Sequence, residues 1–277
     1  MSEAITKERL EEIAKQIRRL SVESIYRAQS GHPGGSLSAA DILSVLYFDV
    51  MDIDPTAPLR RERDRLILSK GHGAPAYYAA LALRGYFSVE RLNDLRQGEA
   101  ALQGHPSMHK TPGVDYSSGS LGQGLSIANG MALYAMKNGL PSTVFCLCGD
   151  GELEEGQIWE AVMAGAHYHL SNVVLIVDDN GLQIDGRVAD VMNHSPLKEK
   201  FLAFGWNVLE VDGHDIEALQ RAFHSVYRKA ERPTALLAKT VKGKGVSFME
   251  NQASWHGSAP TEEQYEKAMR ELGGERL

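Results

Sequence analysis

The stretch of sequence that decides the fold is VFCLCGDGELEEGQIWEAVMAGAHYHLSNVVLIVDDN, residues 144–180. Its first five residues and VVLIVDD (173–179) are short apolar runs of the kind that form buried strands. Between the two runs, apolar side chains recur at helical spacing: Ile158, Ala161, Val162, Ala166 and Leu170 share one helical face. The pattern predicts a strand-helix-strand unit whose two strands are parallel in one sheet.

A polar residue follows each predicted strand of this unit. Asp150, within Gly149-Asp150-Gly151, follows the first strand, and Asn180 follows the second. The carboxyl ends of neighbouring parallel strands lie side by side, and ligands of open α/β sheets bind there. Carboxylate and amide oxygens suit Mg²⁺, and glycine lets the backbone approach a diphosphate. The unit therefore predicts a metal-diphosphate site, with an ordinary strand-ending turn as the alternative for the three residues 149–151.

The composition limits the possible classes of protein. With 277 residues, 43% hydrophobic content and a net charge of −7, the chain can form one large α/β domain, with or without extensions. The basic cluster at residues 60–65 is interrupted by Glu62 and Asp64, so we expect a solvated turn or helix start and no nucleic-acid partner. No apolar run is long enough to span a membrane, and the charged N-terminus does not resemble a signal peptide.

The only two cysteines, Cys146 and Cys148, alternate along the first predicted strand. They point to the same face, and their spacing suits neither a mutual disulfide nor a four-ligand zinc site. We expect them to pack in the core of a protein that works in a reducing, cytoplasmic compartment.

Strands and helices alternate along the rest of the chain. Further strands are predicted at 65–69, 204–211 and 233–241, and further helices at 5–29, 39–50, 74–85, 124–139 and 215–230. Ser38 is the predicted N-cap of the helix at 39–50, and residues 97–120 are predicted to form a long loop. The fold class is α/β, a mostly parallel sheet with helices on both faces. We expect a single domain over residues 1–277, with an N-terminal helix at 1–30 and a C-terminal helical tail at 260–277.

Glycine-flanked turns contain four of the ten histidines: His32, His72, His105 and His256. Each one alone is an ordinary exposed turn residue, but the four together indicate a ligand-binding or catalytic cluster. The other six, which we expect to be surface residues or satisfied core residues, are His109, His167, His169, His194, His214 and His224.

A second glycine-rich element, SSGSLGQGLS (117–126), precedes a predicted helix. Backbone N–H groups at a helix N-terminus attract anions, so this loop is a weak signal for phosphate. Close packing of the helix is the alternative explanation for Gly119, Gly122 and Gly124.

With these motifs in order, the chain resembles the N-terminal, diphosphate-binding part of transketolase, a thiamine diphosphate enzyme. The resemblance covers residues 10–262 through SGHPGGSLS, LSKGHGAPAYYAAL, GHPSMHKTPGVDYSSGSLGQGLSIANGMA, GDGELEEGQIWEA, DDNGLQIDG, GWNVLEVDGHD and SWHG. It implies the thiamine diphosphate-binding fold and transfer of a two-carbon ketol unit, in which the cofactor performs the carbon chemistry.

The resemblance also implies roles for individual residues. Asp150 and Asn180 hold Mg²⁺ through their side chains, and Leu182 holds it through its carbonyl. His32, His105 and His256 line the substrate channel and act as catalytic residues. The residues implied in binding thiamine diphosphate are His72, Gly119, Leu121, Gly149, Gly151, Glu155, Asn180, Leu182 and Lys242. Glu155 and Glu160 resemble acids that link two active sites across a dimer interface, although acids at a helix start are also favoured by the helix dipole.

Transketolases continue into a pyrimidine-binding domain and a C-terminal domain, for which this sequence has no counterpart. We expect a partner chain to supply both, in a heterotetramer of two chains of each kind that acts on sugar phosphates. Four alternatives remain open: a fragment of a longer protein, an α subunit of a 2-oxo acid dehydrogenase or decarboxylase, a transketolase for an unusual sugar, and a non-catalytic regulatory subunit.

Overall fold

The computed structural model describes residues 5–273, and a parallel sheet of five strands lies at its centre. In chain order the strands are β1 Arg65–Leu68, β2 Val144–Gly149, β3 Val173–Asp179, β4 Leu182–Gln183, β5 Gly186–Arg187, β6 Asn207–Asp212 and β7 Thr234–Lys239. The sheet has the order β1-β2-β3-β7-β6, and β4 and β5 form a separate antiparallel pair. The predicted parallel pairing of residues 144–149 with 173–178 is confirmed.

Helices cover both faces of this sheet, which confirms the predicted fold class. They are α1 Lys7–Ala28, α2 Pro33–Ser38, α3 Ala40–Val45, α4 Ala74–Arg84, α5 Gly124–Lys137, α6 Gly156–His167, α7 Val188–Val191, α8 Leu197–Ala203, α9 Ile216–Val226 and α10 Glu262–Glu271. Alternate residues of each strand point into two separate cores. Phe145 and Leu147 pack with α1, α3, α4 and α9, whereas Cys146 and Cys148 pack with α5, α6 and α8.

Helices lie near both ends of the described part of the chain. The expected N-terminal helix is α1, and the expected C-terminal helical tail contains α10. Residues 1–4 and 274–277 of these two predictions lie outside the described residues. Residues 97–120 contain neither helix nor strand, as predicted. None of the helices within residues 5–273 is both long and apolar enough to cross a membrane.

The helix boundary predicted at Ser38 is wrong. A short helix already starts at Pro33, and Ser38 is its last residue. The Ser38 hydroxyl donates to a carboxyl oxygen of Asp178 at 2.6 Å, so a buried acid on strand β3 determines its role. The same short helix requires glycine at position 34, because a Cβ there would lie only 2.9 Å from the carbonyl oxygen of Trp255.

The basic cluster at residues 60–65 is not a uniformly solvated turn. Arg63 is buried and pairs with Asp115 through Nη2 at 2.5 Å, and Arg65 contacts the same carboxylate at 3.0 Å. Asp115 also accepts a hydrogen bond from the backbone N–H of Leu66 at 3.1 Å. These contacts fasten the long loop to the first residues of β1, so the loop that contains His105 is anchored to the sheet.

Candidate active site

The residues predicted around the ends of β2 and β3 lie in one cleft at the carboxyl edge of the sheet. Asp150 follows β2, Asn180 follows β3, and Leu182 begins the small hairpin of β4 and β5. Lys242 enters the cleft from the segment after β7. The cleft is lined by Gly35, Lys70, His72, Leu121, Gly149, Asp150, Gly151, Glu152, Asn180, Leu182, Gln183, Ile184, Lys242 and His256.

Asp150 is a buried carboxylate that forms no salt bridge in the described part of the chain. It accepts hydrogen bonds from the backbone N–H of Gly151, at 2.9 Å, and from that of Gly181. Burial, and then the charge of Asp178, raise the pKa of Asp150 to about 7. Since Asp150 forms no ion pair within residues 5–273, a cation bound beside it would relieve this electrostatic cost.

Two further oxygen groups lie beside Asp150 in the cleft. The side-chain oxygen of Asn180 accepts a hydrogen bond from the N–H of Leu182 at 3.1 Å, which fixes the amide against the hairpin. The carbonyl of Leu182 faces the ammonium of Lys242 at 3.4 Å. Among the described residues, no group of three or more His, Cys, Asp or Glu side chains is arranged to hold a metal. The donors present are a carboxylate, an amide and a carbonyl, which are the hard oxygen ligands that Mg²⁺ prefers.

The four histidines of the glycine-flanked turns lie together in the structure. The ring centroid of His32 is 5.4 Å from that of His72, 5.5 Å from that of His256 and 6.4 Å from that of His105. His72 and His256 are 4.9 Å apart by the same measure. Turns far apart in the sequence therefore converge: His72 and His256 line the cleft, and His32 and His105 lie next to them.

All four imidazoles are neutral at physiological pH. Burial, followed by neighbouring positive charge, lowers the pKa of His32 and of His256 to about 4. Burial and Lys70 lower the pKa of His72 well below its ordinary value, and burial and Arg96 lower that of His105. A neutral imidazole has one donor and one acceptor nitrogen, so each can exchange a proton with a bound hydroxyl group.

Lys70 belongs to a closed network that sequence reasoning did not identify. Its ammonium pairs with Asp178 and donates to the carbonyl of Gly35 at 2.7 Å. Asp178 also accepts from the hydroxyls of Ser38 and Thr240. Burial alone would raise the pKa of Asp178, but Lys70 and these hydrogen bonds hold it below its ordinary value. The network fixes α2 to the ends of β3 and β7.

Lys242 is equally buried but forms no ion pair with a carboxylate of residues 5–273. It is 3% exposed, and its ammonium lies 3.0 Å from Nδ1 of His256. Burial and the charge of Lys70 lower its pKa to about 8. The ammonium of Lys242, together with the imidazoles of His72 and His256, therefore gives this cleft hydrogen-bond donors for an anion.

Glu152 is a second residue that sequence reasoning missed. Its buried carboxylate accepts from the backbone N–H groups of Gly122, at 2.9 Å, and Gly149, at 3.0 Å, and from the hydroxyl of Ser69. It therefore joins the glycine-rich loop to the end of β2. The sequence contained no signal that could separate Glu152 from the neighbouring glutamates, because only its contacts with distant residues distinguish it.

The glycine-rich loop serves close packing at one position and borders the histidines at another. A Cβ at Gly124 would lie 2.3 Å from Oγ of Ser69, so the start of α5 packs directly on the end of β1. A Cβ at Gly119 would lie 3.4 Å from the ring of His105. Leu121, between these glycines, lines the cleft.

Two predicted acids lie outside the cleft. Glu155 is the exposed N-cap of α6, and Glu160 is exposed on the same helix. Their role at a dimer interface stays a prediction. The hairpin supplies instead two cleft residues that we did not predict, Gln183 and Ile184, and the Ile184 side chain is largely exposed.

The remaining histidines differ from one another. His214 is satisfied as expected, since its Nδ1 contacts Asp41 at 2.7 Å and its Nε2 accepts from the N–H of Val241 at 2.8 Å. The expectation is wrong for His194. This residue is buried, and neither ring nitrogen has a hydrogen-bond partner in the described part of the chain.

Comparison with known proteins identifies the family of this chain. The family model for the transketolase thiamine diphosphate binding domain matches residues 10–276. The chain is 45% identical over 263 residues to a subunit of the 6-deoxy-6-sulfo-D-fructose transketolase of Clostridium sp. (strain MSTE9), covering 95% of this chain and 96% of that one. It is 43% identical to one of the subunits of the apulose-4-phosphate transketolase of Phocaeicola vulgatus, covering 96% and 94% of the two chains.

A solved structure gives the same assignment. The transketolase of Campylobacter jejuni superposes with a TM-score of 0.92 at 36% identity, covering 98% of this chain but 44% of that one. The chain therefore spans less than half of that transketolase polypeptide, whereas it matches nearly all of the two subunits above. It belongs to the transketolase family, in which it corresponds to the thiamine diphosphate-binding domain.

Proposed function

We propose that this chain is the diphosphate-binding subunit of a two-chain transketolase, which moves a two-carbon ketol unit from a ketose phosphate to an aldose phosphate. The observation that carries the proposal is the convergence of four neutral histidines, two of which, His72 and His256, line the same cleft as Asp150 and Asn180. Proton exchange with sugar hydroxyls needs such histidines next to the cofactor. The curated subunits to which the chain is similar are named as transketolase subunits.

The cleft fits Mg²⁺ and thiamine diphosphate in its charges and donors. Asp150, Asn180 and the carbonyl of Leu182 would hold the metal, because Asp150 is buried without an ion pair and the other two supply hard oxygens. His72, Lys242 and the backbone around Gly119 and Gly151 would bind the diphosphate. Thiamine diphosphate supplies the carbon nucleophile and electron sink that allow a carbon–carbon bond to break.

The histidines bind the sugar hydroxyls and move protons. The ammonium of Lys242 only donates, so Nδ1 of His256 accepts and Nε2 carries the proton. His256 therefore offers an N–H donor to a sugar oxygen. His32 and His105 are neutral as well, so each can take a hydroxyl proton and return it.

The partner would supply the pyrimidine-binding and C-terminal domains, and we propose a heterotetramer of two chains of each kind. Unusual sugars are the second candidate for the substrate, because the two similar subunits are named for a sulfonated fructose and for apulose 4-phosphate. We propose that the partner selects the sugar and that this chain provides the cofactor site and the channel histidines. A cytoplasmic location stays a prediction from the unpaired cysteines.

The test is reconstitution with a transketolase C-terminal subunit, thiamine diphosphate and Mg²⁺. Aldose release is followed from xylulose 5-phosphate and from 6-deoxy-6-sulfo-D-fructose, with ribose 5-phosphate as acceptor. We expect activity only in the mixture, and at least a hundredfold loss, about the size of one proton-transfer contribution, in His256→Ala. Each chain alone is the control.

Three outcomes would contradict the proposal. A stable complex that binds the cofactor but transfers no ketol unit from either sugar would reject transketolase activity. Turnover of pyruvate-like acids would support the 2-oxo acid enzymes instead. Unchanged turnover in His32→Ala, His105→Ala and His256→Ala would indicate a non-catalytic subunit.

A further inference from the structure

The ammonium of Lys242 contacts two groups to which the proposed function gives separate tasks. It lies 3.4 Å from the carbonyl oxygen of Leu182, a proposed metal ligand, and 3.0 Å from Nδ1 of His256, a proposed channel residue. One side chain therefore connects the metal position with the substrate position.

The surroundings of Lys242 hold the base of its side chain and leave only the tip free to change partners. The N–H of Gly243 donates to the carbonyl of Gly34 at 3.0 Å, and the N–H of Asn251 donates to the carbonyl of Lys242 at 2.9 Å. The stem packs on Gly34, where a Cβ would lie 3.0 Å from Cγ and 3.1 Å from Cε of Lys242. These contacts hold the backbone and the stem of Lys242, and its ammonium is the part of the side chain that contacts Leu182 and His256.

Lys242 forms no ion pair with a carboxylate among the described residues, although the charges of Asp150 and Asp178 partly offset the lowering of its pKa. Lys70 forms an ion pair with Asp178 and donates a hydrogen bond to the carbonyl of Gly35. Lys242 contacts only a carbonyl and an imidazole, both neutral. A diphosphate would therefore be a better partner for Lys242 than the groups it now contacts, because it offers charged acceptors.

A metal ion and this ammonium compete for the carbonyl of Leu182. Two cations that share one oxygen in a buried site repel each other, since the surroundings screen them poorly. Binding of the metal to the Leu182 carbonyl therefore favours a position of the Lys242 ammonium away from this oxygen. A diphosphate would attract the ammonium to such a position. Binding of the diphosphate thus favours binding of the metal, and the coupling is reciprocal.

We propose that Lys242 couples the two halves of the cofactor site: its ammonium holds the Leu182 carbonyl until a diphosphate draws it off, so tight metal binding depends on the diphosphate. The same movement releases Nδ1 of His256. This inference rests on the proposed function, because it takes Asp150, Asn180 and Leu182 as the metal ligands.

The experiment measures binding of Mn²⁺, as a probe for Mg²⁺, to the full chain by electron paramagnetic resonance. Without a diphosphate, we expect Lys242→Met to bind Mn²⁺ about tenfold more tightly than the wild type, a typical size for coupling between sites. With saturating thiamine diphosphate this advantage should disappear, because in the wild type the diphosphate has already drawn the ammonium away. Lys244→Met is the matched control: it removes the same charge two residues away, outside the cleft lining.

Comparing Asp150→Asn with Lys242→Met distinguishes failure of the metal assignment from failure of the coupling role. If Asp150→Asn leaves Mn²⁺ binding unchanged, the metal assignment is wrong and the proposed function loses its cofactor site. If Asp150→Asn abolishes binding but Lys242→Met gives no gain without diphosphate, the coupling role of Lys242 is overturned and the site stands. Lys242→Gln, which keeps a polar tip, replaces Lys242→Met if circular dichroism shows that the latter does not fold, and the same two results decide.

Discussion

Lys70 and Lys242 line the same cleft, are both almost fully buried, and differ in their partners. Lys70 pairs with Asp178, whose other hydrogen bonds are satisfied by Ser38 and Thr240. Lys242 contacts only neutral groups, and the nearby carboxylate of Asp150 has no basic partner among the residues described. The first arrangement holds elements of the fold together, whereas the second leaves charges ready for a ligand. At this edge of the sheet, the partner of a charged group and not its burial distinguishes a structural role from a binding role.

The largest change in the free energy of unfolding should come from breaking the ion pair between Lys70 and Asp178. Lys70→Met leaves Asp178 charged and buried without its counterion, so we expect the free energy of unfolding to fall by about 3–5 kcal/mol. Urea unfolding followed by circular dichroism measures the loss. Lys244→Met removes the same charge without touching the pair and should change stability by less than about 0.5 kcal/mol. A loss below about 1 kcal/mol in Lys70→Met would mean that the pair does not hold this edge together.

The second largest change in the free energy of unfolding should come from neutralising the carboxylate of Asp150. Since the pKa of Asp150 is raised to about 7, its ionised form destabilises the folded chain at pH 8. Asp150→Asn should therefore raise the free energy of unfolding at pH 8 by roughly 2–4 kcal/mol. The folded form binds the Asp150 proton more tightly than the unfolded form, so the gain should shrink as the pH falls below 7 and vanish near pH 4. Denaturant unfolding at pH 8, 6 and 4.5 checks the trend, and a gain independent of pH would contradict it.

A smaller gain in stability is expected from removing the ammonium of Lys242. The pKa of Lys242 is lowered to about 8, so its charged form is disfavoured in the folded chain at pH 7. Lys242→Met should stabilise the ligand-free chain at pH 7 by about 1–2 kcal/mol, opposite in sign to Lys70→Met. The wild type recovers stability between pH 8 and the ordinary lysine pKa of 10.5, so the difference should close above that range. Destabilisation by Lys242→Met would remove the contrast between the two lysines.

The smallest effect concerns the acid side of the stability profile. His32 and His256 have pKa values lowered to about 4, so the unfolded chain binds more protons than the folded chain below pH 6.5. Their contribution to stability is present above pH 6.5 and falls as the pH approaches 4. Over the same range the protonation of Asp150 increases the stability of the folded chain, so the two effects oppose each other. In His256→Asn, the free energy of unfolding should decrease less between pH 7 and pH 5 than in the wild type, as measured by denaturant unfolding at these two pH values. An unchanged acid slope would show that this imidazole is not held neutral by burial.

Local patterns in the sequence were enough to predict the sheet and the placement of two site residues. The β2-α6-β3 unit follows from apolar periodicity, and parallel pairing then brings Asp150 and Asn180 to one edge. The pattern could not predict Ser38 or Arg63 correctly, because their partners are acids distant in the chain. Glu152 was missed for the same reason, since its local sequence differs little from that of its exposed neighbours.

The sequence by itself determined the alternation of strands and helices, the polar residues at the strand ends and the histidine-containing turns, because each depends on residues within a few positions of one another. The tertiary structure alone decided that the four histidine turns meet, that Lys70 finds a carboxylate and that Lys242 does not. Those outcomes depend on which distant groups share a buried volume, where a single missing partner changes the pKa of a side chain and the task it can perform.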